Sequence, residues 1–521
     1  MKKILFIIAA SLMPTVLSAQ SAIDAYAMSQ TDFRGTARFM AMGGAFGALG
    51  GDVTSMNQNP AGIGVYRSSD MSVTVDFDMQ SAKSQDRSFS DKMDQTKVSC
   101  NSFGYVGAYR LNSDGLRTFN WGVSYNRSAS KARAFRGQMR DLQSSLSNYI
   151  AGCVNDQGWN ADELASAQYA TTNVPWINIL AYDGSLINPR SDGRSFQGLY
   201  GDGTNGYGEY EVKEEGGVDE FNLSFGGNVK DVLYWGLSVG ITDINYKTYT
   251  YYGEALDNAY INDDITGVGN VVTGTAMYAL ENYLHTTGTG FNLKFGVIAR
   301  PNNMLRIGVA FHTPTYYSMK DAYNTSLGFD YSGQKSSVST DYGETWYRLR
   351  TPWRFIGSLA GVIGTKGIIS LDYERVAYDS MKLQDDYGND YFDTNGDISN
   401  YYKGVNIIRI GAEYRVDPQL SLRAGYSYET SPVNDDALNN KMDIYTVSTT
   451  PAYGFDKDTQ HFSFGAGYKF GKVYADIAYV HRTKEREYHA FSPVVAYGEA
   501  SPSNLIKHNS DQIVATLGVR F

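Results

Sequence analysis

Apolar and polar residues alternate along many segments of this chain. In "MSVTVDFDMQ" every second residue from Met71 to Met79 is apolar, and the residues between them are polar. The segments "FNLKFGVIA", "LSLRAGYSY" and "HFSFGAGYKF" repeat the pattern. A period of two residues predicts β-strands with one apolar face, because successive side chains of a strand point to opposite faces. Fourteen such strands are predicted, near 70–80, 97–111, 117–130, 218–230, 233–250, 288–300, 303–320, 348–361, 366–382, 404–416, 418–430, 458–470, 472–488 and 509–521.

The connections between these strands alternate in length. Six are short turns, such as "KDV", "PNN" and "FGK", and they alternate with seven long connections: 81–96, 131–217, 251–287, 321–347, 383–403, 431–457 and 489–508. A soluble β-sandwich also has alternating strands, but it has no reason to sort its loops by length. Outer-membrane barrels do, with an even number of strands, short periplasmic turns and long external loops. We therefore predict an all-β fold, a transmembrane antiparallel β-barrel of fourteen strands.

Composition is consistent with a barrel. The 521 residues are only 42% hydrophobic, yet they include 41 Tyr, 24 Phe and 6 Trp. No segment has the roughly eighteen uninterrupted apolar residues that a membrane-spanning helix needs, whereas aromatic girdles are typical of membrane barrels. Cys100 and Cys153 leave two possibilities open, one bridge or two free thiols, and they do not form a metal site.

The first nineteen residues are expected to be a signal peptide. A basic start at Lys2 and Lys3 precedes an apolar run from Ile4 to Ala10 and small residues before Gln20, which is the layout of a secretory signal. Cleavage after Ala19 changes the net charge from −10 to −12. A chain this acidic, without clustered Lys and Arg, is not expected to bind nucleic acid.

Residues 20–69 precede the first strand and are rich in small residues. The stretch "ARFMAMGGAFGALGGDVTSMNQNPAG" is too apolar for a solvated linker. A fourteen-strand barrel is wide enough to hold such a segment, and small residues let backbone segments pack closely. Asn59 and Pro60 predict a helix start, with Asn as N-cap and Pro in the first helical position. The boundaries are therefore 1–19 signal peptide, 20–69 plug and 70–521 barrel. Polar residues on the inward face of the barrel should meet water or this plug: Lys294, Arg306, Arg409, Glu413, Arg423 and Asp476.

The segment "GTARFMAMGGAFGALGGDVTSMNQNPAGI" resembles the N-terminal hatch of the FadL/TodX family of outer-membrane transporters for hydrophobic compounds. Later stretches, including "TGFNLKFGVIARPNNMLRIGVAFHTP", are similar to the barrel hairpins of that family. The resemblance implies a plugged fourteen-strand barrel in a Gram-negative outer membrane. The chain departs from the family in its long 131–217 insertion and its high Tyr content.

The resemblance also implies a function, which is passive uptake of hydrophobic compounds such as long-chain fatty acids or aromatic compounds. The ligand is captured at the external loops and passed by the hatch. Hatch movement, or a gap in the wall at a kinked third strand, then releases it, and Gly122 is a candidate for that kink. The hatch or gating residues it points to are Gly43, Gly44, Phe46, Asn59, Pro60 and Ala61. The ligand-binding residues stay unknown.

Three alternatives remain open from sequence: a haem-binding surface barrel using His312 and His461, a structural surface barrel, and an outer-membrane lipid hydrolase. No Ser/His/Asp arrangement is recognisable in the sequence, so we expect a protein that is not an enzyme, with no catalytic residues, cofactor or metal. The expected partners are hydrophobic small molecules, outer-membrane lipid and lipopolysaccharide. The barrel is expected to be a monomer.

Overall fold

The computed structural model describes residues 20–86, 89–262, 271–447, 449–493 and 501–521. The predicted signal peptide lies outside them. No helix in the described part of the chain is long and apolar enough to cross a membrane.

The described residues form one closed antiparallel barrel. Each strand pairs with the next along the chain, and the last pairs with the first, with Asp70 opposite Arg520. The fourteen strands are β1 (Asp70–Asp86), β2 (Phe89–Arg110), β3 (Leu116–Ser130 and Arg133–Met139), β4 (Asn205–Val229), β5 (Leu233–Asn262), β6 (Val271–Ala299), β7 (Leu305–His312 and Tyr316–Tyr331), β8 (Gln334–Ser339, Gly343–Arg350 and Arg354–Ile363), β9 (Gly367–Val376 and Lys382–Asp385), β10 (Val405–Arg415), β11 (Leu420–Glu429), β12 (Tyr453–Phe470), β13 (Val473–His489) and β14 (Ser503–Arg520). The predicted fold class and strand number are confirmed.

The two faces of the wall differ as the alternation predicts. On β1 the apolar residues from Met71 to Met79 are exposed on the outside, while Asp76 and Asp78 between them are buried inside. Lipid can solvate the outer face, and pairing of the last strand with the first leaves the sheet without a free edge strand.

Several strands are longer than predicted. β1 and β2 stay paired up to Asp86 and Phe89, so the external loop predicted at 81–96 is wrong. Most of 321–347 and 251–287 also continues as strand. Strand pairing needs only backbone hydrogen bonds, so it can continue outside the membrane. The alternation of apolar and polar residues ends where the outer face of the strand leaves the lipid. On β1 that face continues as Lys83 and Gln85.

Helices lie in the N-terminal segment and in the external loops. The N-terminal segment contains α1 (Ala22–Ser29), α2 (Ala37–Ala41), α3 (Ser55–Gln58) and a 3₁₀ helix (Pro60–Val65). The loops contain α4 (Leu146–Gln157), α5 (Ala161–Ser166), α6 (Trp176–Asp183), α7 (Phe392–Tyr401) and α8 (Asp435–Leu438). Long loops therefore have their own packed structure, and α4, α5 and α6 all lie in the insertion between β3 and β4.

Residues 20–69, called the plug below, fill the interior of the barrel. Most plug side chains are buried, including Phe46, Met40 and Met56. They pack against inward-facing wall residues such as Ala478 and Val514. The plug supplies the apolar contacts that the polar inner face of the wall lacks.

Candidate functional site

The turn at Gly43 and Gly44 brings the plug into contact with the wall backbone. It follows the short helix α2, and both glycines have positive φ values, +61° and +74°. A Cβ atom on Gly43 would lie 2.8 Å from the amide nitrogen of Tyr426 and 3.0 Å from the carbonyl oxygen of Ile410. Only a residue without a side chain fits here, because the turn needs left-handed backbone and the neighbours are strand atoms.

The wall also has glycines where it contacts the plug. Where the plug touches the strands, inward positions on eight of them have no side chain, and a Cβ there would collide with plug atoms: Gly104, Gly226, Gly236, Gly296, Gly308, Gly411, Gly425 and Gly465. The strands would otherwise direct eight side chains into the space that the plug occupies. The close fit is therefore built from both sides.

Asn59 starts a helix as predicted and also connects the plug to itself and to the wall. Its side-chain oxygen accepts from the amide of Ala61 at 3.0 Å, with Pro60 in the first position of the 3₁₀ helix. Its side-chain nitrogen donates to the carbonyl oxygen of Gly47 at 2.6 Å. Gly296 on β6 leaves room for this amide group.

We expect Asn59→Ala to loosen the plug without disassembling the barrel. The variant loses the cap and the Gly47 bond, a cost of about 1–2 kcal/mol for the cap alone. Limited proteolysis should then cut within residues 20–69 faster than in the unmodified protein. Asn160→Ala, which removes the capping residue of the exposed helix α5, is the matched control and should leave cleavage of the plug unchanged. Equal protection in both variants would contradict the assigned role.

Phe46 and Arg38 join the apolar and ionic parts of the plug. The Phe46 side chain is fully buried, and the Arg38 guanidinium lies 5.2 Å from its ring centroid. Arg38 also pairs with Glu413 on β10 at 2.9 Å. Glu413 in turn accepts from Arg423, which pairs with Asp476. A chain of alternating charges therefore runs from the plug along the inner wall.

The other inward charged residues also meet the plug or pair within the wall. Arg306 donates to the carbonyl oxygen of Leu49 at 2.7 Å. Lys294 contacts Asn57 and pairs with Glu220, and Arg409 pairs with Glu374 at 2.7 Å. The prediction that these residues face the lumen is confirmed. Lys294 and Arg409 each have a carboxylate partner, which offsets part of the cost of burying the charge, whereas Arg306 has the neutral carbonyl oxygen of Leu49.

The wall has a seam between β2 and β3. The two strands pair from Arg110 opposite Thr118 to Ser102 opposite Asn126. Beyond that point, within the described residues, β2 pairs only with β1, and β3 pairs only with β4. The irregularity in β3 is at Arg127–Ala129. Gly122 stays paired on both sides, so it is not a kink.

Plug residues Asp32 and Arg34, called the latch below, bridge this seam. The backbone amide of Asp32 donates to the carbonyl oxygen of Ser128 at 2.7 Å, and the Asp32 carboxylate accepts from the amide of Ser130 at 2.8 Å. Arg34 donates to Asp76, Asp78 and Asn101 on the other side of the seam, at 2.6, 2.8 and 2.9 Å. The plug thus satisfies backbone groups of β3 that β2 leaves unpaired.

Inside the barrel, next to the latch, a cavity of about 160 Å³ lies between plug and wall. Its lining is strongly charged and includes Asp32, Arg127, Glu220, Lys294, Arg354 and Glu374. His312 faces this cavity, and its Nε2 lies 2.9 Å from the carbonyl oxygen of Gln58. The His461 ring packs 5.1 Å from the ring of Phe33. Both histidines therefore line the lumen as predicted, in contact with the plug.

A larger cavity of about 400 Å³ lies among the external loops. Helices α4 and α6 and residues 445–447 and 449–451 enclose it, and β7 forms one wall. Its apolar lining includes Tyr149, Ile150, Val174, Trp176, Ile177 and Val447. Asp24 of α1 also lines it, so this external cavity touches the plug directly. Its size is typical of sites for small organic ligands.

Sequence reasoning missed the external cavity and the latch. The insertion was interpreted as an exposed loop, although Ser145 and Gly158 mark the two ends of α4 as a capping residue and a left-handed terminus. Those two residues were an available helix signal. The latch gave no signal, since its bonds join residues distant in the sequence. Cys100 and Cys153 are both free, on β2 and α4.

Comparisons with known proteins agree with this architecture. Residues 217–490 match the model of the family described as outer membrane protein transport protein (OMPP1/FadL/TodX). The fold is similar to that of the Pseudomonas putida toluene transporter TodX, with a TM-score of 0.51 and 12% identity over 94% of this chain and 99% of that one. A Pseudomonas aeruginosa FadL homologue gives 0.53 and 13% over 94% and 99%. No curated protein sequence matches the chain.

At such low identity the solved structures establish the fold, and the family model, which spans more than half of the chain, establishes the relationship. The chain therefore belongs to the OMPP1/FadL/TodX family of transport proteins and is a β-barrel of the Gram-negative outer membrane.

Proposed function

We propose that this barrel takes up hydrophobic compounds passively and acts as a channel rather than as an enzyme. The observation that carries the proposal is the external cavity, whose apolar lining meets the plug at Asp24. An apolar ligand gains about 0.8 kcal/mol for each methylene that it buries there. The TodX structure is described as that of a toluene transporter, and we extend only the hydrophobic class of ligand to this chain. We also propose a monomer in contact with outer-membrane lipid and lipopolysaccharide.

The second half of the proposed route is the seam. The charged cavity in the lumen is a poor path for an apolar molecule, because it would displace water from buried ionic groups. The seam begins near Cys100, which lies opposite Val75 within the lipid-facing band of β1. In our proposal residues 20–69 are a movable hatch whose latch closes this exit. Its hinge and contact residues are Gly43, Gly44, Phe46, Asn59, Pro60 and Ala61.

Uptake and binding measured together test the proposal. Cells lacking this protein should take up radiolabelled toluene and decane more slowly, and native mass spectrometry of the purified barrel should detect a bound hydrophobic molecule. Unchanged uptake of both compounds, together with no bound compound, would refute the function.

We expect Ile177→Trp to slow this uptake several-fold. Ile177 is buried in α6 and lines the external cavity, so the larger ring occupies space that the ligand needs. Val272→Trp is the control, since Val272 is exposed on β6 and does not line the cavity. Initial uptake rates at equal protein level are the measurement. Equal rates in the two variants would place ligand capture elsewhere.

A further inference from the structure

The external cavity has an acidic floor. Two carboxylates line it, Asp24 of α1 and Asp321 of β7, and the lining residues include no Lys, Arg or His. Asp321 is 5% exposed. The charged residues in a lining that is otherwise apolar or neutral and polar are thus of one sign only.

Neither carboxylate is paired with a basic side chain of the described residues. Asp24 accepts from the backbone amide and hydroxyl of Ser21 at 3.0 and 2.7 Å. Asp321 accepts from Thr286 at 2.6 Å and from neutral side chains of Tyr347 and Gln20. Among the described residues, neither carboxylate lies within ion-pair distance of a Lys, Arg or His. Burial raises the pKa of Asp24, which is the cost of a carboxylate without a counter-charge. A bound cation would remove that cost.

The rings around the floor suit the same kind of ligand. Tyr149, Trp176, Tyr323 and Tyr445 line the cavity, and the rings of Trp176 and Tyr323 are 5.3 Å apart. Aromatic faces attract cations, by about 0.5–2 kcal/mol according to solvation. Burial, together with the charges of Asp156 and Asp443, raises the pKa of the Cys153 thiol in the lining.

We propose that the external cavity binds hydrophobic compounds that carry a protonated amine, with the ammonium group held by Asp24 and Asp321 and the apolar body among the aromatic rings. This inference rests on the proposed function and specifies its ligand class. A free carboxylate is disfavoured at the same site, because it would face two acidic side chains without a basic one. Since Asp24 belongs to the plug, a ligand in the cavity contacts the plug directly.

A matched set of three ligands tests the inference. The full-length barrel in lipid nanodiscs is titrated calorimetrically at pH 7 with 4-phenylbutylamine, 4-phenylbutan-1-ol and 4-phenylbutyrate, which share one apolar body. The amine should bind at least about tenfold more tightly than the carboxylate. Asp24→Asn and Asp321→Asn, which keep side-chain size, should each reduce this preference. Asp202→Asn, an exposed aspartate in the same external insertion, should leave it unchanged.

The outcomes separate this inference from the proposed function. If the carboxylate or the alcohol binds as tightly as the amine, or the preference survives in both variants, the amine specificity is wrong while hydrophobic capture stands. If none of the three binds, both are refuted. Should a variant fail to show the heat-dependent electrophoretic shift of a folded barrel, the ranking of the three ligands on the unmodified protein still decides the question.

Discussion

Gly43→Val is expected to make the barrel permeable to small sugars while its fourteen strands stay assembled. The substitution places a branched side chain at φ +61° and against backbone atoms of Tyr426 and Ile410. Backbone strain of this kind costs about 1–3 kcal/mol, and the clash adds to it. The wall atoms are fixed by continuous pairing of β10, β11 and β12, so the plug is the part that moves.

Liposome swelling measures this effect directly. Reconstituted Gly43→Val should admit sugars of increasing size at rates well above those of the unmodified barrel, and its heat-dependent electrophoretic shift should be retained. Gly471→Val is the matched control. Gly471 has φ +67° in the turn before β13, and no atom lies within 4 Å of a Cβ built there. It therefore tests backbone strain without plug contact. Swelling that is equal in the two variants would mean that the turn at Gly43 does not seal the lumen.

The alternation of residues sufficed to predict the wall inside the membrane. It is strong from Met71 to Met79 because lipid selects the outer face of a strand, and the plug and polar groups select the inner one. Beyond the lipid, apolar residues are no longer selected on the outer face. From Lys83 to Asp86, β1 can therefore be recognised as a strand only from its backbone pairing in the structure. A periodicity argument therefore places strand ends at the membrane surface rather than at the true ends.

In the plug, too, contacts between residues close in the sequence can be predicted, whereas contacts between distant residues cannot. Asn59 and Pro60 start a helix through contacts within two residues, so the sequence predicted them. The small residues around Gly43 predict close backbone packing, but the strand backbone they pack against, at Ile410 and Tyr426, lies nearly four hundred residues away. The sequence gives no signal for the bonds of Asp32 and Arg34, because their partners lie 42 to 98 residues away on β1, β2 and β3.

The plug makes two kinds of contact with the polar interior of the barrel. Its apolar side chains fill the lumen, while its charged residues pair with the inner wall. A ligand that displaced the plug downward would have to break these ion pairs in a buried setting. A ligand that left through the seam would disturb only the latch. We therefore propose release sideways into the membrane, where only the buried ion pairs of the latch have to separate.

Arg34→Met is expected to open the seam. The Arg34 side chain is buried and pairs with Asp76 and Asp78, whose own side chains are almost fully buried. Removing one partner of a buried pair costs about 3–5 kcal/mol, because the remaining charge is left uncompensated. Asp32 on the other side stays ionised: burial opposes this, but Arg482 and Arg34 outweigh it and lower the pKa of Asp32 to about 2. Loss of Arg34 therefore weakens both halves of the latch.

Hydrogen exchange over residues 127–131 reports the state of the seam. The amide of Ser130 donates to Asp32, so its exchange should accelerate in Arg34→Met as the plug withdraws. Arg423→Met is the control, because Arg423 pairs with Glu413 and Asp476 on the wall and does not line the cavity next to the latch. It should destabilise the barrel without exposing residues 127–131. Adding Asp76→Asn and Asp78→Asn to Arg34→Met removes the uncompensated charges and should restore part of the protection. Exchange that is unaltered in Arg34→Met would show that the latch does not hold the seam closed.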